Sequence, residues 1–428
     1  MDHPLIHLTH RNDPKPNSGV FAVCSANYYA IQAALEAALE ADGLILIEAT
    51  ANQVNSSGGY SGLTPSDYVR QIHQMVENMG LPGNRCIIGM DHLGPHAWSQ
   101  QTPEVAFNSA VALVRQCVNA GFRKLHLDVI TGTPNSRGDI GAIEKAARQT
   151  ADLCRVAEET ARSKDLDHHL LYVIGTDVPA PGGSLNPEEG VAVTDTQNLA
   201  RTLTAFQAAF SSAGLESAWE RAVAVVVQPG VDFDDTTIAD YHRKQAAALA
   251  AYHQQLPRGM TYEVHAADYQ KPVLLKKMVA DRFNLLKIGP CLTFALRQTL
   301  YALAHIEEAL PGIEHPSHLR QTMEAIMIRD PLYWRSNDQG TPEELAYIRH
   351  FGLRDRIRYY WSHPRARKAV NQLLHNLNRS IPRALLEQYL PDLPENLLPA
   401  QKAFMPETVI NFRLHKVLTP YRDACWPQ

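Results

Sequence analysis

Eight short apolar runs rich in β-branched residues recur along the first three-quarters of the chain, and between them lie longer stretches with the apolar spacing of amphipathic helices. The runs cover residues 20–25, 44–50, 86–92, 124–129, 171–179, 222–230, 261–268 and 283–289. Strands that are apolar on both faces belong to a parallel sheet covered on both sides, because a half-exposed strand alternates apolar and polar residues. Ile31, Leu35 and Leu39 make one helical stripe, and Thr64-Pro65 and Thr102-Pro103 each join an N-cap to a proline at the first helical position. Gly121 supplies a helix stop. Further helical patterns cover 142–161, 196–213, 238–255 and 271–281. Eight such units ending near Ala309 predict an α/β fold, a TIM-type (β/α)8 barrel over residues 1–310. The competing architecture, a doubly wound open sheet, lacks its GxGxxG loop after a strand.

From residue 311 to residue 428 prolines punctuate helical pieces without strand-like runs, so this part reads as a helical C-terminal extension. Its Arg354, Arg356, Arg358, Tyr359, Tyr360 and Trp361 read as arginines stacked on aromatics in a packing or subunit interface. A nucleic-acid role is disfavoured, because 40 Lys and Arg against 45 Asp and Glu leave a net charge of -5. No run approaches the roughly 20 apolar residues needed to span a bilayer, and the start carries no secretory or transit pattern. Six widely spaced cysteines without a CxxC pair read as reduced core thiols. The expected setting is cytoplasmic, without membrane or nucleic-acid partners.

A barrel enzyme carries its chemistry where the strands end, and here the strand ends are polar. The second closes on Glu48, the third on Asp91-His92, the fourth on His126-Leu127-Asp128, the fifth near Asp177 and the sixth on Gln228. The seventh reads Glu263-Val264-His265, and the eighth holds Lys287. Residues two apart share a strand face, so His126 with Asp128, and Glu263 with His265, each aim an imidazole and a carboxylate together. Such a set suits a catalytic divalent metal, which takes about three protein ligands and keeps one position open. In Asp91-His92 one residue can serve a metal while its neighbour moves a proton. Lys287, after the last strands, and the Gly58-Gly59 turn stand where a phosphate could be held. No GxSxG elbow or P-loop is present, which disfavours a serine hydrolase and a P-loop kinase.

The segments Glu48-Ala49-Thr50, Asn52-Gln53-Val54-Asn55, Asp91-His92-Leu93-Gly94-Pro95, Gln228-Pro229-Gly230 and Arg358-Tyr359-Tyr360-Trp361 resemble the GatZ/KbaZ family over almost the whole chain. The resemblance implies D-tagatose phosphate chemistry in one of two forms. One is an epimerase that inverts C4 of D-tagatose 6-phosphate to give D-fructose 6-phosphate. The other is the non-catalytic subunit of a class II D-tagatose-1,6-bisphosphate aldolase. On the first reading His92, His265 and Glu263 hold the metal, zinc ahead of manganese, cobalt or nickel. Asp91, Asp177 and Asp128 are the acid and base candidates, while Glu48, Gly58, Gly59, Gln228 and Lys287 contact the sugar phosphate. A homo-oligomer or an aldolase partner is the expected assembly. Two positions depart from the pattern of the aldolase subunits: Asp177 stands where Glu is expected, and Val129 where Cys is expected.

Overall fold

The computed structural model describes residues 5, 18–129, 140–164, 170–175, 191–335, 340–397 and 404–426. All eight runs are parallel strands of one closed barrel: β1 (Val20–Cys24), β2 (Ile45–Thr50), β3 (Cys86–Leu93), β4 (Lys124–Leu127), β5 (Leu171–Ile174), β6 (Ala222–Val227), β9 (Thr261–Val264) and β10 (Leu285–Ile288). After β6 the chain adds a two-stranded antiparallel ribbon, β7 (Asp232–Phe233) with β8 (Ile238–Ala239). The barrel runs in chain order and closes where β1 pairs with β10.

Strand alternation divides the barrel interior into two levels. Val20, Ala22, Leu46, Ile87, Leu171, Val173, Ala224, Val226 and Leu285 pack into an apolar plug of their own. Further along, the strands carry Glu48 two residues past Leu46, Lys287 two past Leu285 and Asp91 four past Ile87, with Glu263 on β9, all buried. Gly89, paired with Glu48 across β2 and β3, makes room for this second level: a Cβ there would stand 3.0 Å from the Glu48 side chain.

One helix is much shorter than its sequence pattern. Of the stretch 238–255, residues Ile238–Ala239 are strand and the helix covers only Ala247–Tyr252. The Asp234 carboxylate accepts from the backbone N–H groups of Thr236 and Thr237, both at 2.6 Å, and this turn folds β8 back on β7. Gln270 then holds the next residues extended, accepting from the Tyr241 N–H (2.9 Å) and donating to the Ala239 carbonyl (2.9 Å).

The extension packs on the barrel through a hydrophobic core shared with the barrel's outer shell. Its last helix, Pro406–Cys425, lies against helices Tyr28–Glu40, Pro272–Ala280 and Pro290–Ala309, which flank the closure of the barrel. Glu36 accepts there from Asn411 (2.5 Å) and His415 (3.1 Å). Burial opposes the charge, but these partners pull the Glu36 carboxyl down to about 2. A carboxylate with a lowered folded-state pKa contributes stability above its unfolded value and loses it as pH falls through the folded one. Glu36→Gln should therefore cost roughly 1–2 kcal/mol at pH 7, allowing for solvent screening of this half-buried group. The difference from wild type should close as pH falls from 4.5 to about 2. Superimposable acid-unfolding curves would show that this clamp contributes nothing. Among the described residues no helix is long and apolar enough to cross a membrane.

Candidate active site

The second interior level is an ion-pair network. Lys124 is 0% exposed, and its ammonium lies 2.6 Å from Glu48 and 2.5 Å from Glu263, both also 0% exposed. Lys287 reaches Glu48 at 3.1 Å, Glu263 at 3.3 Å and Asp91. Desolvation penalises the charges of Lys124, Lys287, Asp91 and Glu263, and their mutual contacts oppose that penalty. Burial works against Lys287, yet Asp91, Glu263 and Glu48 hold its pKa well above the usual lysine range. Burial likewise pushes the Asp91 carboxyl up, but the charges of His92 and Lys287 bring it well below the usual carboxylate range. Asp91 is thus an anion at neutral pH.

Three imidazoles sit on top of this network. Their ring centres are 5.5 Å apart for His92 and His126, 4.9 Å for His92 and His265, and 5.2 Å for His126 and His265. Each ring has one nitrogen on its own carboxylate: His92 Nδ1 on Asp128 at 2.8 Å, His126 Nδ1 on Asp91 at 2.7 Å, and His265 Nε2 on Glu263 at 3.1 Å. A carboxylate on one ring nitrogen fixes the tautomer and aims the other nitrogen, the usual support of a metal-binding histidine. His126 Nε2 is buried and has no hydrogen-bond partner. Burial, with Lys287 adding to it, lowers the His265 pKa to about 3, so this ring is neutral and keeps a lone pair at working pH. The backbone at His92 takes φ 47°, in the left-handed region, where β3 slips its register against β4. That costs conformational energy and turns the side chain into the mouth.

This donor set fits a divalent cation. Ligand atoms of Asp91, His126, Glu263 and His265 all lie within 4.8 Å of one another. The membership differs from the set read in the sequence. His265 and Glu263 of that set are in this group, Glu263 also facing the two lysines; His92 stands beside the group on Asp128, and Asp91 and His126 join it. His126 carried its signal in the His126-Leu127-Asp128 alternation. Lys124 carried one too, as a charge opening an otherwise apolar strand two residues before His126.

Other expected contacts are placed differently. Lys287, read as a phosphate grip, is surrounded by three carboxylates. The Gly58 N–H donates to the Asn55 carbonyl (2.9 Å) and the Gly59 N–H to the Asn55 side chain (3.0 Å), so the turn closes on itself and offers neither donor to a phosphate. Gly59 has φ 53°, and a Cβ there would meet the Gln53 carbonyl at 2.4 Å, which explains the glycine as a turn residue. Gln228 accepts from the N–H groups of Gly230 (2.8 Å) and Val231 (2.9 Å) and shapes the turn after β6. Glu48 is committed to Lys124 and Lys287. Asp177 lies outside the described residues.

The cavity above the network is lined by Asp91, His92, His265 and Lys287 from the barrel, and by Arg358 and Tyr359 from the extension. The segment bearing Arg358 is stitched over the mouth. Arg297 donates to Asp355 (2.7 Å), Tyr269 to the Leu353 carbonyl (2.6 Å) and Arg354 to Asp235 (2.6 Å). The basic aromatic patch read as packing or interface therefore also contributes to the wall of the cavity.

A family model described as D-tagatose-1,6-bisphosphate aldolase subunit GatZ/KbaZ-like matches residues 5–426. The D-tagatose-1,6-bisphosphate aldolase subunit GatZ of Klebsiella pneumoniae subsp. pneumoniae is 41% identical over 411 residues, covering 95% of this chain and 96% of that protein. Its counterpart in Salmonella paratyphi B is 40% identical, with 96% of each chain covered. Among solved structures, a probable tagatose 6 phosphate kinase from Sinorhizobium meliloti 1021 superposes with a TM-score of 0.83 at 35% identity. That match covers 95% of this chain and 100% of the other.

Proposed function

Because this chain belongs to the GatZ/KbaZ-like family, we propose that it acts in D-tagatose phosphate metabolism as the GatZ-type subunit of a D-tagatose-1,6-bisphosphate aldolase. Near full-length relatives at about 40% identity that bear this description carry the reading. The test is co-expression with a class II aldolase chain. Co-purification, with a longer half-life of aldolase activity than the catalytic chain has alone, is the expected result. An aldolase indifferent to this chain overturns it.

A second reading, C4 epimerisation of D-tagatose 6-phosphate within this barrel, is favoured by the mouth itself. A purely supporting subunit has no use for an anionic Asp91 beside three carboxylate-held imidazoles, because buried ionic groups rarely add stability over apolar packing. C4 of the ketose bears no acidic C–H, so inversion proceeds by breaking and remaking C3–C4. Asp91 accepts the C4 hydroxyl proton, the C3–C4 electron pair moves toward the C2 carbonyl, and the aldehyde half turns over. The bond then re-forms on the other face and the proton returns, with no net change of atoms. His126 and His265 with His92 would hold a divalent cation, which when bound would supply Lewis-acid stabilisation of the negative oxygen, leaving Asp91 for the proton. The protein's own part is to orient the sugar, to exclude water beneath the extension, and to keep the aldehyde half from leaving.

The chain purified alone with zinc or manganese should convert D-tagatose 6-phosphate to D-fructose 6-phosphate, and EDTA or His265→Ala should abolish the conversion. Absence of turnover, with a co-expressed aldolase stabilised, leaves the subunit role by itself.

A further inference from the structure

We propose that Arg358, delivered by the C-terminal extension, is the anion-binding residue of the barrel mouth and grips the phosphate of the sugar-phosphate ligand. The inference deepens the proposed function and rests on its reading of the mouth as a sugar-phosphate site. It follows from the lysines, arginines and backbone N–H donors that the described residues bring to the mouth.

A barrel of this type commonly holds phosphate at the loops after its last strands, on a helix N-terminus. Here that place is filled from within. The Asp268 carboxylate accepts from the N–H groups of Gly289 (3.0 Å) and Cys291 (2.8 Å), and Pro290 between them has no N–H to give. An incoming phosphate would meet a carboxylate there. Lys124 and Lys287 are each neutralised by buried carboxylates, and releasing either would strand Glu48 and Glu263 without a counter-charge. The Gly58-Gly59 turn has spent its donors on Asn55.

Arg358 is different. It is half-buried and lines the cavity together with His92 and His265. Its guanidinium donates to the backbone carbonyls of Arg354 and Asp355 and to the Tyr359 hydroxyl (3.0 Å), and makes no ion pair among the described residues. The arginines around it do: Arg354 pairs with Asp235, and Arg297 with Asp355. The carbonyl contacts and the Tyr359 ring, 4.5 Å from the guanidinium carbon, fix the fork without cancelling its charge. A planar guanidinium so held matches two phosphate oxygens at once. In the C3–C4 cleavage written above, the phosphate of D-tagatose 6-phosphate stays on the aldehyde half, and this is the half that must turn without escaping. A grip on the extension, lining the same cavity as Asp91, anchors that half while leaving its aldehyde carbon free to rotate.

The probe is inorganic phosphate, titrated into the full-length wild type, Arg358→Gln and Arg358→Lys and followed by phosphorus NMR. D-tagatose 6-phosphate and D-tagatose are run in parallel. Arg358→Gln should weaken phosphate and sugar-phosphate binding at least about tenfold while leaving D-tagatose unchanged. Arg358→Lys, which keeps the charge but loses the fork, should weaken both several-fold. If Arg358→Gln fails to fold, the lysine variant carries the same decision. Wild-type phosphate affinity in the variants, or no phosphate binding by the wild type in the millimolar range, overturns the inference. Phosphate binding lost in Arg358→Gln, by a wild type that neither binds D-tagatose 6-phosphate nor stabilises an aldolase, upholds Arg358 and overturns the sugar-phosphate reading. Sugar-phosphate turnover indifferent to Arg358→Gln does the opposite.

Discussion

Lys124→Met should cost about 3–5 kcal/mol of folding stability, because it removes one cation from a fully buried cluster and leaves carboxylates behind. Glu48 and Glu263 each lose a contact of 2.6 or 2.5 Å, and Lys287 must then balance Glu48, Glu263 and Asp91 alone. Calorimetry should show a melting temperature lower by roughly 3–6 °C. The pH dependence separates this cause from loss of packing. Although burial raises the Glu263 pKa, Lys124 and Lys287 hold it well below its ordinary value in the folded state. Its ionic contribution is therefore complete above about pH 4.5 and is lost as pH falls through the depressed folded value. The gap between Lys124→Met and wild type should accordingly be widest at neutral pH and narrow in acid. Adding Glu48→Gln to the variant should recover part of the loss. A Lys124→Met protein as stable as wild type, with the same acid profile, would mean that the cluster is not held by charge.

Asp91→Asn should reduce turnover of D-tagatose 6-phosphate by about 10²–10⁴-fold, the usual effect of removing a positioned base, with little change in fold. Asparagine keeps the shape and still accepts from the His92 N–H and the His126 ring, which Asp91 meets at 2.9 and 2.7 Å. It cannot take a proton. Glu48 and Glu263 remain to compensate Lys287, so the melting temperature should fall far less than in Lys124→Met. Steady-state kinetics alongside a thermal melt checks both halves. An Asp91→Asn protein turning over within threefold of wild type would move the base to another carboxylate, Asp128 being next on the same strand ends.

The barrel was legible because its strands are apolar on both sides. A run such as Ala222–Val227 has no alternation and cannot lie on a surface. The same logic exposed the site, since a charge in such a run must have partners inside the barrel. It failed over 238–255, where an alanine-rich stretch reads as helix. The Asp234 turn and the Gln270 side chain, which is 29 residues from Tyr241 in sequence, take the backbone groups that a helix would have used.

What the chain's own sequence determines is the eight barrel strands, the parallel barrel and the identity of the polar groups at the strand ends, because each follows from local patterning: unbroken apolar runs, the 3.6-residue period of the helices between them, and the two-residue spacing of the polar strand ends. Tertiary structure decides the assignments among those groups. Whether Lys287 faces a phosphate or three carboxylates depends on Glu48, Asp91 and Glu263, which lie on three other strands. Whether His126 or Glu263 presents a free ligand atom depends on which partner already holds each one. Arg358, read in the sequence as part of a packing or interface patch, reaches the mouth only because Asp235, Tyr269 and Arg297 draw the extension across it. A periodicity reports which face a side chain occupies, whereas the charge state and availability of a buried group are set by neighbours far away in the sequence.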